Sequence, residues 1–138
     1  MTKILYFAYG SNLNHHQMKN IRCFGSRYLK AFFFKDYKLI FCHPNKLNKF
    51  GYANIIKKRG SKVAGAIWEI TKEHEKILDN YEQFPNIYQK EYFYLGGKKV
   101  MFYIMNKYIF KNPPNSYIDA INKGYEDCNI DLRINYRF

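Results

Sequence analysis

The sequence predicts an α+β fold, a small mixed β-barrel or strongly curved sheet with short helices packed outside it. Three observations lead there. Runs rich in Tyr, Phe, Val and Ile, bounded by Gly, Asn and Pro, recur along most of the chain and read as strands. Only three stretches carry helix signals, and each is short. No repeat, low-complexity tract or linker divides the 138 residues, so one domain spanning 1–138 is expected. A domain of that length hides roughly 70% of its unfolded surface. The 20% aromatic content excludes disorder, because each buried ring removes about 150–250 Å² from water.

Ile4–Tyr9 is almost wholly apolar or aromatic, as suits a strand buried on both faces. Gly10-Ser11-Asn12 breaks it, and Asn12 or Asn14 can cap a short helix over His15–Asn20. After Gly25-Ser26, the segments Tyr28–Phe34 and Tyr37–Cys42 read as strands, and polar His43–Phe50 with Pro44 as a loop. Strands follow at Tyr52–Lys57 and Val63–Ile70, with Gly60-Ser61 turning between them. Thr71 caps the next helix, and Glu73 and Glu75 complement its dipole. Ile77, Leu78 and Tyr81 fall at helical spacing and form its buried face, and Pro85 ends it. Tyr88–Leu95 and Lys98–Met105 make a hairpin about Gly96-Gly97, a pair that tolerates the positive φ of primed turns. Beyond Pro113-Pro114, Tyr117–Lys123 reads as a helix with Gly124 at its C-terminal cap. Asp127–Phe138 carries no clear signal.

The net charge of +12 has two readings. One is an electrostatic footprint for nucleic acid, an anionic membrane or an acidic substrate. The other is compositional: Lys rises together with Asn, Ile, Tyr and Phe, whose codons are also A/T-rich. Lys30, Lys35, Lys38, Lys46 and Lys49 are scattered rather than run together, which favours the second. A basic, aromatic-rich nucleic-acid-binding module without catalysis remains the rival from another class, although no recognised binding motif is present. Cys23, Cys42 and Cys128 are odd in number and far apart, so reduced thiols in a cytoplasmic protein are expected. Adjacent His15 and His16 diverge on any regular backbone and make a poor metal pair. No apolar run approaches the ~20 residues of a membrane span, and the first nine residues are too short for a signal core.

Two segments have the makings of a site. Tyr6-Phe7-Ala8-Tyr9-Gly10-Ser11-Asn12-Leu13 is a buried strand ending in small residues that open a helix. Unpaired N–H groups there suit a carboxylate or a developing oxyanion. Local physics alone favours an ordinary capped turn. The second is Leu78-Asp79-Asn80-Tyr81-Glu82-Gln83-Phe84-Pro85. A carboxylate at a helix C-terminus among aromatic rings has a raised pKa and is a stronger base. Glu82 fits that description, a solvated helix-end residue is the bland alternative, and Asp79 competes on nearly the same face.

At these residues the chain resembles the γ-glutamylcyclotransferases and their AIG2-like relatives. Tyr9-Gly10-Ser11-Asn12-Leu13, preceded by Tyr6-Phe7-Ala8, is similar to the family's opening signature. Gly65-Ala66-Ile67-Trp68 resembles its Gly-x-x-Trp strand, Leu78-Asp79 with Glu82 its Leu-Asp-x-x-Glu helix, and Pro85, Tyr88, Tyr117 and Gly124 follow in register. One departure is Gln83, where the family usually has Gly. The resemblance implies a γ-glutamylcyclotransferase, with Glu82 catalytic and Tyr6 to Leu13, Tyr88 and Tyr117 binding substrate. It implies intramolecular attack of an α-amine on the γ-carbonyl of a small γ-glutamyl compound, giving 5-oxoproline, with no metal or cofactor. The 138-residue length is shorter than that of relatives acting on intact glutathione, which points to smaller substrates. The leaving amine and the oligomeric state, a homodimer among the options, are left open.

Overall fold

The computed structural model describes residues 2–135. Six strands form one sheet among them: β1 Lys3–Ala8, β2 Arg27–His43, β3 Tyr52–Thr71, β4 Gln89–Leu95, β5 Lys98–Ile104 and β6 Ile109–Phe110. The strand order is β4-β5-β1-β3-β2-β6, curved but unclosed, with β4 and β6 at the edges. The curved-sheet form of the expectation therefore holds and the barrel form does not. The sheet is mixed, since β1 runs parallel to β5 while the other pairs are antiparallel.

Where four strands were expected in residues 28–70, there are two long ones. β2 and β3 pair from Arg27↔Glu69 to Cys42↔Tyr52, with register shifts at Tyr28/Lys30 and Lys35/Tyr37. At the second shift Asp36 turns left-handed at φ 65°, as does Gly60 at φ 88°. The Gly60 N–H donates to Asp36 Oδ1 at 3.0 Å, which ties the interruption across the ladder. Gly60-Ser61 is thus part of a bulge, not a turn, and bulges add the bend and twist that curve a sheet. The hairpin about Gly96-Gly97 forms as expected, with φ 56° and 78° in its two central residues.

The core is built on aromatic edges and faces. Phe7, fully buried, meets Phe32, Phe34 and Phe93 at 5.7–5.9 Å between ring centroids, all T-shaped. Phe93 stacks on Phe34 at 4.6 Å. Gly65 permits this packing, because a Cβ there would lie 2.4 Å from the Phe7 ring.

The helix expected at His15–Asn20 is replaced by a 3-10 turn, Ser11–Leu13, and a π-helical turn, Gln17–Arg22. Asn14 caps the second, its Oδ1 accepting the Gln17 N–H at 2.9 Å. Helix α1, Lys72–Tyr81, starts at Thr71, whose Oγ1 accepts the His74 N–H while His74 Nδ1 accepts the Thr71 N–H, both at 3.2 Å. Its contact with the body is narrower than its apolar spacing predicts. Leu78 is fully buried, but Ile77 and Tyr81 are exposed, and the Arg22 guanidinium covers the Tyr81 ring instead. α1 stops four residues ahead of Pro85, and Gln83 at φ 50° is what turns the chain. Helix α2, Asn115–Asp127, outruns the expected span, so Gly124 lies inside it rather than at its cap. A Cβ at Gly124 would sit 2.4 Å from Leu13 Cβ, so this glycine lets α2 dock on the 3-10 turn. Of the signal-poor tail, Ile134 is held by paired hydrogen bonds to the Asn122 amide, and residues 136–138 lie outside the described residues. No helix among the described residues is long and apolar enough to cross a membrane.

Candidate active site

Glu82 ends α1. Its N–H still bonds to the Leu78 carbonyl at 2.8 Å, and the chain then leaves the helix through Gln83 and a cis Phe84-Pro85 bond. The left-handed φ of Gln83 is the conformation glycine adopts without steric cost, which accounts for the residue type the family favours there. This exit turns the Glu82 side chain inward. Its carboxyl lines two adjoining cavities and accepts no hydrogen bond from any described residue. Removal from bulk water pushes its pKa up to about 7, against the opposing pull of the Arg22 cation.

The inner cavity, about 30 Å³, is walled by hydroxyl-bearing rings: Tyr6, Tyr9, Tyr88, Tyr103 and Tyr117. Each hydroxyl is held. Tyr9 donates to the Tyr103 carbonyl at 2.6 Å and Tyr88 to the Ala53 carbonyl at 2.6 Å. Tyr117 accepts the Ala53 N–H at 3.1 Å, and Tyr6 accepts from Asn12 Nδ2 at 3.1 Å. Tyr103 donates to Asp79 Oδ1 at 2.6 Å. Burial, then the nearby Glu82 carboxylate, raises the Tyr6 and Tyr9 pKa well above the usual phenol range, and burial is the main cause at Tyr88 as well. These rings stay neutral phenols at physiological pH.

The first strand's end forms the opposite wall. Gly10 passes so close to Tyr117 that a Cβ there would lie 2.9 Å from its hydroxyl oxygen. The first hydrogen bond of the 3-10 turn is donated by Leu13, to the Gly10 carbonyl at 3.1 Å. That leaves the N–H groups of Ser11 and Asn12 ahead of the ladder. Gln17 Nε2 braces the corner by donating to Ser11 Oγ at 2.8 Å and Asn12 Oδ1 at 2.9 Å. Outside lies a second cavity of about 560 Å³, sharing Ser11, Asn12, Glu82, Tyr88 and Tyr117 with the first.

The sequence-predicted residues divide accordingly. Tyr6, Phe7, Tyr9, Gly10, Ser11, Asn12, Glu82, Tyr88 and Tyr117 come together around the inner cavity. Ala8 and Leu13 do not: Ala8 is buried in the β1–β3 ladder opposite Ala66, and Leu13 packs beneath Gly124. Asp79, the rival carboxylate, is committed elsewhere, with Lys90 Nζ at 2.9 Å and the Tyr103 hydroxyl both on its Oδ1. Tyr103, Ala53 and Arg22 were not foreseen. The period of two along β5 puts Tyr103 on a face with Met101, but only the parallel pairing with β1 brings that face to the site. Ala53 contributes main-chain groups, for which no side-chain signal exists.

Comparison with known proteins agrees with this geometry. The family model described as Gamma-glutamyl cyclotransferase, AIG2-like, matches residues 6–125. No curated protein sequence matches the chain. Among solved structures, the chain is similar to the uncharacterized protein loc79017 from Homo sapiens, at 23% identity and TM-score 0.82, covering 100% of this chain and 93% of that one. It is also similar to a structure titled Gamma-glutamyl cyclotransferase, at 21% identity and TM-score 0.80, covering 98% and 91% of the two chains. An AIG2-like protein from Mus musculus aligns at 17% identity and TM-score 0.56, over 79% of this chain and 81% of that one. At these identities the structural matches speak to the fold.

Proposed function

The chain belongs to the gamma-glutamyl cyclotransferase, AIG2-like family, and we propose that it cyclises a small γ-glutamyl compound to 5-oxoproline, releasing the free amine or amino acid. The observation that carries this reading is the unpaired Glu82 carboxyl, at the junction of two cavities with a pKa of about 7. A general base works best when its pKa lies near the working pH. The substrate's α-ammonium must lose a proton before its nitrogen can attack, and Glu82 accepts that proton. The nitrogen then bonds to the γ-carbonyl carbon. As the tetrahedral intermediate collapses, the C–N bond to the leaving group breaks, and Glu82 returns the proton to the departing nitrogen.

Negative charge builds on the former carbonyl oxygen. The main-chain N–H groups of the Tyr9–Asn12 segment are the donors on the facing wall, and removing one such donor typically costs about 10²–10³ in rate. Nucleophile and electrophile belong to one molecule, so the protein's main task is to fold the substrate into an attack-ready shape. The rigidly bonded tyrosines suit that task, being neutral, immobile and able to offer hydroxyls to the glutamyl carboxylate. The inner cavity of about 30 Å³ holds only a few atoms. The scissile amide therefore belongs at the junction beside Glu82, with the leaving group in the outer cavity. Incubation with a panel of γ-glutamyl amino acids and amines, read by mass spectrometry for 5-oxoproline, tests the reaction. Failure to convert any member overturns it.

A further inference from the structure

The outer cavity has a single cation on its wall. Of the residues lining it, only Arg22 and Glu82 carry a full charge at neutral pH. Arg22 is the last residue of the π-helical turn, and it is anchored on both sides. Met18 is fully buried, and the next residue, Cys23, is buried and donates its N–H to the Met18 carbonyl at 2.8 Å. The guanidinium carbon lies 3.7 Å from the centre of the Tyr81 ring. Stacking occupies the flat face of the group and leaves its in-plane N–H donors available, the arrangement that suits two-pronged recognition of a carboxylate. Among the described residues, no carboxylate lies within 4.0 Å of Arg22.

We propose that Arg22 is a specificity-determining residue that binds a carboxylate carried on the leaving group, so that leaving amines without an acid are processed poorly. This rests on the cyclotransferase reading, because the leaving group occupies the outer cavity only if Glu82 serves the amide at the junction. A half-buried, aromatic-backed arginine also repels a cationic leaving group such as a diamine. Reaction-wise, the substrate then comes from a step that joins a glutamyl side-chain carboxyl to the amine of an amino acid.

The test compares kcat/KM for γ-glutamyl-glycine, γ-glutamyl-β-alanine and γ-glutamyl-γ-aminobutyrate with that for γ-glutamyl-methylamine, which lacks the acid. Three acids of increasing reach are used so that the best placed one serves as comparator. The parent protein should prefer that acid by about 10–100-fold, the range for hydrogen bonds to a charged group. Arg22→Gln should bring the ratio to near unity, and Arg22→Lys, which keeps the charge but not the fork, should retain part of it. The ratio cancels any change that losing Arg22 makes to Glu82, and any loss of folded protein. A ratio near unity in the parent, or one that Arg22→Gln leaves unchanged, overturns the proposal while the cyclotransferase reading stands. Absence of 5-oxoproline from every member in the parent overturns both.

Discussion

Replacing Glu82 with Gln removes one ionisable proton site at nearly constant shape, and two consequences of opposite sign follow. Activity falls, because positioned acid–base groups contribute about 10²–10⁴-fold to rate. Stability rises at alkaline pH. Glu82 titrates at about 7 in the folded chain against an ordinary 4.5, so the folded state binds its proton more tightly than the unfolded state does. The stability this group contributes is therefore greatest below 4.5 and is lost as pH rises through 7. At about 1.4 kcal/mol per pH unit, ionising it costs the parent at most about 3 kcal/mol. Glu82→Gln escapes that cost, so urea melts should show it more stable than the parent at pH 8 and equal to it near pH 4. Rates of 5-oxoproline formation in the parent should fall about tenfold per unit below pH 7, as the base protonates. A Glu82→Gln variant that cyclises substrate at the parent rate, or that is less stable at pH 8, would refute both the chemistry and the electrostatics.

Three further outcomes are expected. Gln83→Gly relieves a left-handed φ of 50° and should raise the unfolding free energy by about 1 kcal/mol in urea titration; a loss of stability would mean the Gln83 side chain contributes more than its backbone costs. Gly10→Ala places a Cβ 2.9 Å from the Tyr117 hydroxyl and should lower kcat/KM by about 10²-fold through displaced substrate, in protein that keeps the parent circular dichroism spectrum. Asp79→Asn weakens the pair with Lys90 but still accepts the Tyr103 hydroxyl, so the expected cost is about 1 kcal/mol of stability with most activity retained. Activity as low as that of Glu82→Gln would assign the proton transfer to Asp79.

Much of this molecule is legible locally. The apolar run of β1, its interruption at Gly10, the Thr71 cap, the Gly96-Gly97 hairpin and a carboxylate at the end of α1 each depend on residues a few positions apart, and each formed. Short-range sterics and hydrogen bonding write such features directly into sequence order. The tertiary structure decided what depends on distant partners. The Asp36–Gly60 tie made one bulged ribbon of four expected strands. Gly124 became a docking point inside α2 because Leu13 presses on it. Two carboxylates one helical turn apart parted company: Asp79 was claimed by Lys90 and Tyr103 from the β4–β5 hairpin, and Glu82 was left facing the cavity. A side chain's chemistry is set by what surrounds it, and around Glu82 those surroundings come from β1, β3, β5 and α2, which only the folded sheet brings together.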